Sequence, residues 1–111
     1  VSIGSMAVEA RTLLGRIRAV VQDVDPAARV ILFGSRARGD SSPDSDWDIL
    51  ILSDAALSME QEDTISHRLY DLGLETDSVI SVIFNIKGDW ASPLYQSMPF
   101  QQNVDREGIE L

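Results

Sequence analysis

The sequence predicts an α/β (α+β) fold, a small mixed sheet of three or more strands with helices packed on it. Three observations point there. Two short runs, "RVILF" (29–33) and "WDILIL" (47–52), are β-branched, aromatic and too apolar for solvated edges, so they read as buried strands. Stretches on either side of this pair carry apolar residues at helical spacing. A third run, "DSVISVIFN" (77–85), alternates with the period of a half-buried strand.

Taken in order, Met6, Ala10, Leu13, Leu14, Ile17, Val20, Val21 and Val24 form one apolar stripe on an amphipathic helix. Asp25-Pro26 ends it, because proline lacks an N–H and biases its predecessor away from helix. The first strand, 29–33, closes at Gly34, and a short helical turn and polar loop fill 35–45. After the second strand, Ser58 and Gln61 have the spacing of a capping box. The helix it opens turns Ile65, Leu69 and Leu72 inward, and Gly73 is an early stop signal. In the third strand Ile80, Val82 and Phe84 share one face, with Asp77, Val79, Ser81 and Ile83 on the other. From Lys87 onward Trp90, Pro93 and Pro99 suggest short helical pieces covering the sheet. The order is α-β-turn-β-α-β-short α, in one domain over 6–111. Residues 1–5, "VSIGS" before Met6, read as a vector-derived remnant.

The charge balance narrows the function. With 18 acidic against 9 basic residues the net charge is −9, a surface that repels a phosphate backbone and argues against stable nucleic-acid binding by this chain alone. The same charge suits divalent cations or a basic partner protein. The absence of cysteine rules out disulfides and zinc–thiolate sites and fits a cytoplasmic protein. No apolar run approaches the roughly 20 residues that span a bilayer, and no signal-peptide layout opens the chain.

Chemistry concentrates in residues 34–48. Gly34-Ser35 sits where a strand ends and a helical turn begins, a place where free backbone N–H groups gather on an anion and glycine allows close approach. The Ser35 hydroxyl adds a donor. Twelve residues after Gly34 comes Asp46-Trp47-Asp48. Alternation puts the two carboxylates on one face, roughly 6.5–7 Å apart at Cα. They can converge there on Mg²⁺, an ion that takes oxygen from one or two carboxylates and from substrate phosphates.

Gly34, Ser35, Ala37, Arg38, Gly39, Ser45, Asp46, Asp48 and Ile49 match the pattern G-S-x-A-R-G-x₅-S-D-x-D-[LI]. The chain thus resembles the minimal nucleotidyltransferase (MNT) domains of the DNA polymerase β superfamily. The likeness covers most of 6–85, and the ending "ISVIFNIKGDW…SPLY…REGIEL" is similar to bacterial stand-alone members. The resemblance implies a polymerase β-type nucleotidyltransferase fold. Gly34 and Ser35 would hold phosphates, with Arg38 beside them, and Asp46 and Asp48 would bind Mg²⁺ and carry catalysis with ATP or another nucleoside triphosphate. It further implies an MntA-like antitoxin of a HEPN/MNT pair, transferring AMP from ATP to a hydroxyl of its HEPN-type toxin. Active members place a third carboxylate on the next strand. Here that position falls near Ser81, and Asp77 lies four residues earlier, roughly 13 Å along an extended strand. The alternative is therefore an inactive or weak MNT-fold antitoxin that works by binding its partner. A small-molecule transferase would need an acceptor pocket from a dimer or a partner, and whether the chain is a homo- or hetero-oligomer stays open.

Plainer readings stand beside these. Asp40 and Asp44 can be a solvated turn. Asp44-x-Asp46-x-Asp48 fails as an EF-hand, with Ile49 at the sixth position and Ala55 at the twelfth. Arg38-Gly39-Asp40 is a chance tripeptide. Arg36 either contacts phosphate or balances the aspartates. His67, about 200° around its helix from Ile65, faces solvent, and Trp47 and Trp90 read as packing residues. Leu94, Tyr95, Met98 and Phe100 either meet a partner or cap the domain's own core.

Overall fold

The computed structural model of the protein describes Gly4 and residues 6–111; most of the remnant proposed at 1–5 lies outside the described residues. Helix α1 (Val8–Val24) leads into β1 (Arg29–Phe33), a single helical turn α2 (Ser35–Arg38), and β2 (Trp47–Ser53). Helix α3 (Met59–Thr76) and β3 (Ile80–Ile86) follow. The chain ends with α4 (Lys87–Trp90), α5 (Pro93–Gln96), α6 (Pro99–Glu107) and a two-residue strand β4 (Ile109–Glu110).

The sheet is mixed, in the order β3-β2-β1-β4. Strand β2 runs antiparallel to β1 and parallel to β3, with α3 as the crossover. Its central place explains its near-continuous apolar composition, since a strand covered on both faces has no solvated side to alternate with. Val30, Leu32, Ile49 and Ile51 face Leu14, Ile17, Val21, Ile65 and Leu69 of α1 and α3. Ile31, Leu50 and Leu52 face the other way, onto Trp90 and Val104 of the C-terminal helices. Trp90 and Trp47 are both buried packing residues, as expected. Helices α1 and α3 are tied at the surface by Arg16–Glu75 and by Arg68–Asp23 at 2.6 Å. Among the described residues no helix is long and apolar enough to cross a membrane.

The capping box forms as the spacing predicts: Gln61 N–H donates to Ser58 Oγ at 3.1 Å, and Ser58 N–H donates to Gln61 Oε1 at 2.9 Å. Two expectations need correction. Gly73 does not stop α3; it is buried in the helix where a Cβ would meet the Ser78 carbonyl at 2.5 Å, and its own carbonyl accepts from Ser78 N–H at 2.8 Å. The stop is Asp77, which takes the left-handed conformation (φ +54°), one that aspartate tolerates better than most residues. Consequently β3 begins at Ile80 rather than 77. A fourth strand, β4, completes the sheet of three or more strands that the sequence predicts. Ile109 and Glu110 pair with Leu32 and Ile31, and Leu111 N–H adds a 2.8 Å bond to the Val30 carbonyl.

Glu110 also accepts from Arg29, with Nη2 at 2.6 Å and Nε at 3.1 Å. These hydrogen bonds hold the Glu110 carboxyl below the ordinary glutamate range, against a smaller opposing effect of burial. A carboxyl lowered on folding stabilises the fold above its unfolded value, and that contribution is lost as pH falls through the folded value. Glu110→Gln should therefore cost about 0.2–1 kcal/mol at neutral pH, the range for an exposed pair. Urea titrations should show the cost fading in acid that protonates both states.

Candidate active site

The end of β1 builds the first half of the site. Gly34 adopts φ +76° and ψ −159°, a conformation nearly closed to residues with a Cβ. The chain then turns into α2, whose Ala37 and Arg38 N–H groups both donate to the Gly34 carbonyl at 3.0 Å. Buried Ala37 seats α2 on the core, and Gly39 (φ +86°) ends it. A second constraint is steric. A Cβ on Gly34 would overlap Asp48 Oδ2, so the carboxylate rests on the bare glycine Cα.

The second half comes from β2 and β3. Phe33, Asp48 and Ser81 stand opposite one another across β1, β2 and β3, and therefore share a sheet face. Asp46 lies just before β2, where Trp47 N–H donates to the Val79 carbonyl at 2.8 Å. Ser81 Oγ donates to Asp46 Oδ2 at 3.1 Å. Asp46 is exposed and Asp48 is half-buried. Burial first, then the negative charge of Asp46, pushes the Asp48 carboxyl above the ordinary aspartate value, while Arg38 pulls it partly back. A bound cation at that point would relieve both effects.

The two arginines of α2 divide their work. Arg36 stacks over the Trp47 ring, its Cζ 4.3 Å from the centroid, and donates to the carbonyls of Ser45 (2.9 Å) and Pro43 (3.2 Å). It is a positioning residue that fixes the loop delivering Asp46, a role that loop composition did not reveal. Arg38 stays at the surface between Asp40 (3.2 Å) and Glu107 (3.4 Å), close enough to Asp48 to act on its charge.

Other candidates fall outside this cluster. Asp40 pairs with Arg38, Asp44 is exposed on the loop, and His67 is exposed on α3. Asp77 caps α3 before β3 begins, so it does not join the strand face that carries Ser81. Among the described residues no group of three or more His, Cys, Asp or Glu side chains is placed to hold a metal ion. The carboxylates here number two because the third strand offers a hydroxyl. The Ser81–Asp46 bond was out of reach of sequence reading, since it depends on the β2–β3 register. Tyr95 and Phe100 pack against Trp90, with ring centroids at 6.3 and 5.9 Å, while Leu94 and Met98 remain exposed.

Comparison with known proteins adds the family. A chain from a toxin–antitoxin structure solved with AMP-PNP is 23% identical, with a TM-score of 0.61 over 86% of this chain and 69% of that one. A variant of the toxin–antitoxin MntA-HpeT gives 19% identity and a TM-score of 0.59, over 86% of this chain and 69% of that one. At these identities the likeness is one of fold. A structure described as a minimal nucleotidyltransferase is 25% identical, with a TM-score of 0.61 over 96% of this chain and 98% of that one. No curated protein matches the sequence. The model of the nucleotidyltransferase domain matches residues 14–101, a span that includes β1, the Gly34 turn, both aspartates and β3, and this chain belongs to that family, as a minimal nucleotidyltransferase domain.

Proposed function

We propose that this chain is an MNT-fold antitoxin that holds a magnesium nucleoside triphosphate and neutralises a toxin partner chiefly by binding it, with weak nucleotidyl transfer. The carrying observation is Ser81. It occupies the place on β3, opposite Asp48 and hydrogen-bonded to Asp46, where an active member's third carboxylate would stand.

The residues present fit magnesium as a partner of bound phosphate. Asp46 and Asp48 supply two hard oxygen donors, and phosphate oxygens and water complete a usual Mg²⁺ shell. When bound, the ion would screen phosphate charge and polarise the phosphorus under attack. Gly34 and Ser35 would cradle the β- and γ-phosphates, and Arg38 would exchange its Asp40 and Glu107 contacts for phosphate oxygens. Ser81 contributes no negative charge to a second ion and accepts no proton from an attacking hydroxyl at neutral pH. Transfer of AMP from ATP to a partner hydroxyl, with release of pyrophosphate, is the second reading. The Gly34–Asp48 contact favours it, because that contact keeps the phosphate turn and a carboxylate together.

A net charge of −9 fits a basic partner, and the likeness to toxin–antitoxin structures points to a toxin; a HEPN-type ribonuclease is the partner that the MNT resemblance implies. The test is to mix the chain with the protein encoded beside it, labelled ATP and Mg²⁺. The expected result is a tight complex, preserved in Asp46→Asn, with little label on the partner. Stoichiometric labelling that Asp46→Asn abolishes would overturn the binding reading in favour of transfer.

A further inference from the structure

Beside the phosphate turn, between the end of β1 and α6, lies a cavity of about 210 Å³ lined by Phe33, Gly34, Arg38, Phe100, Asn103, Val104 and Glu107. We infer that this cavity is the nucleobase subsite: the base of the bound triphosphate packs on Phe100, with its polar edge at the Asn103 amide. The inference rests on the nucleotide reading above and extends it to residues that the Gly34–Asp48 motif does not include.

Continuity points to the occupant. Gly34 and Arg38 line both the cavity and the phosphate turn, so the cavity is within reach of the other end of a ligand anchored there by its phosphates. The aromatic surface is rigid. Phe100 is 41% exposed, yet it is held edge-on by Phe33 (centroids 5.4 Å, 83°) and by Trp90 (5.9 Å, 86°). An immobilised ring at a ligand site gains stacking with little ordering cost. The polar groups are oriented as well. Asn103 Oδ1 accepts from Arg106 Nη2 at 2.8 Å, which fixes the amide and leaves its NH₂ donors and one oxygen lone pair for a base edge. Glu107 accepts from Arg38 and Arg106, both at 3.4 Å, and keeps the Arg106 partner when Arg38 turns to phosphate.

Calorimetry of the full chain with Mg²⁺ and either ATP or inorganic tripolyphosphate tests this. ATP should bind roughly tenfold or more tightly than tripolyphosphate, the order expected of one base stacked on an aromatic side chain. Phe100→Leu, which keeps an apolar group in place, should erase that advantage and leave tripolyphosphate binding unchanged. Asn103→Ala, on the exposed side of α6, should weaken ATP binding alone and so keeps the test decisive if Phe100→Leu misfolds. Equal affinity for the two ligands, or ATP binding unmoved by both variants, would overturn the subsite while leaving the phosphate site standing. Failure of both ligands to bind the native chain would overturn the nucleotide reading itself, and the subsite with it.

Discussion

Gly34→Ala is expected to destabilise this protein strongly. Two costs fall on the same atom. The backbone at φ +76°, ψ −159° is a region that residues with a Cβ seldom occupy, and the new methyl would overlap the Asp48 carboxylate. Together they should cost about 2–5 kcal/mol, a large share of the roughly 5–15 kcal/mol that holds a domain folded. Gly15→Ala is the matched control. It lies in the exposed interior of α1 with nothing within 4 Å of an added Cβ, and should gain about 0.5–1 kcal/mol. Urea midpoints of the two variants should move in opposite directions. An unchanged midpoint for Gly34→Ala would contradict both the glycine-only backbone of the turn and its contact with Asp48.

Ser81→Asp should have the largest effect on function, with a sign that depends on magnesium. The new carboxylate would stand where Ser81 Oγ now lies, 3.1 Å from Asp46 Oδ2 and in register with Asp48. Without metal, three carboxylates would crowd one sheet face that already raises the Asp48 carboxyl, and stability should fall at neutral pH. With millimolar Mg²⁺ the loss should reverse, because the same charges become ligands. Restoring an acid–base group is worth about 10²–10⁴ in rate, so AMP transfer to the partner should rise by that order. Thermal melts with and without Mg²⁺, together with the labelling assay, check both halves. A variant destabilised equally in both conditions, with no added label, would show that Ser81 is not in the position of a missing ligand.

Much of this was legible in the chain because periodicity and punctuation do local work. The apolar run at 47–52 announces a strand covered on both faces, and Ser58 with Gln61 announces where α3 starts. Of the Gly34…Asp46-x-Asp48 spacing, the structure brings Asp48 onto Gly34. What stayed hidden depends on partners far along the chain. The end of α3 misleads because Gly73 has a packing reason, a backbone carbonyl at the place of its missing Cβ, while Asp77 makes the turn. Strand β4 exists only through pairing with β1 and has no local pattern of its own. Arg36 looked like a phosphate ligand or a counter-charge, and only the fold reveals it clamping the loop through Trp47 and the Pro43 and Ser45 carbonyls.

The most direct test is a calorimetric titration of ATP into the native chain, Asp46→Asn and Asp48→Asn, each with and without Mg²⁺. Native protein should bind ATP only when the ion is present. Each asparagine variant should stay folded and lose roughly 10²-fold or more in affinity, since a unit charge at ligand distance near a protein surface is worth about 4 kcal/mol. Binding that is indifferent to magnesium, or unchanged in both variants, would contradict a nucleotide held between the Gly34 turn and the two aspartates.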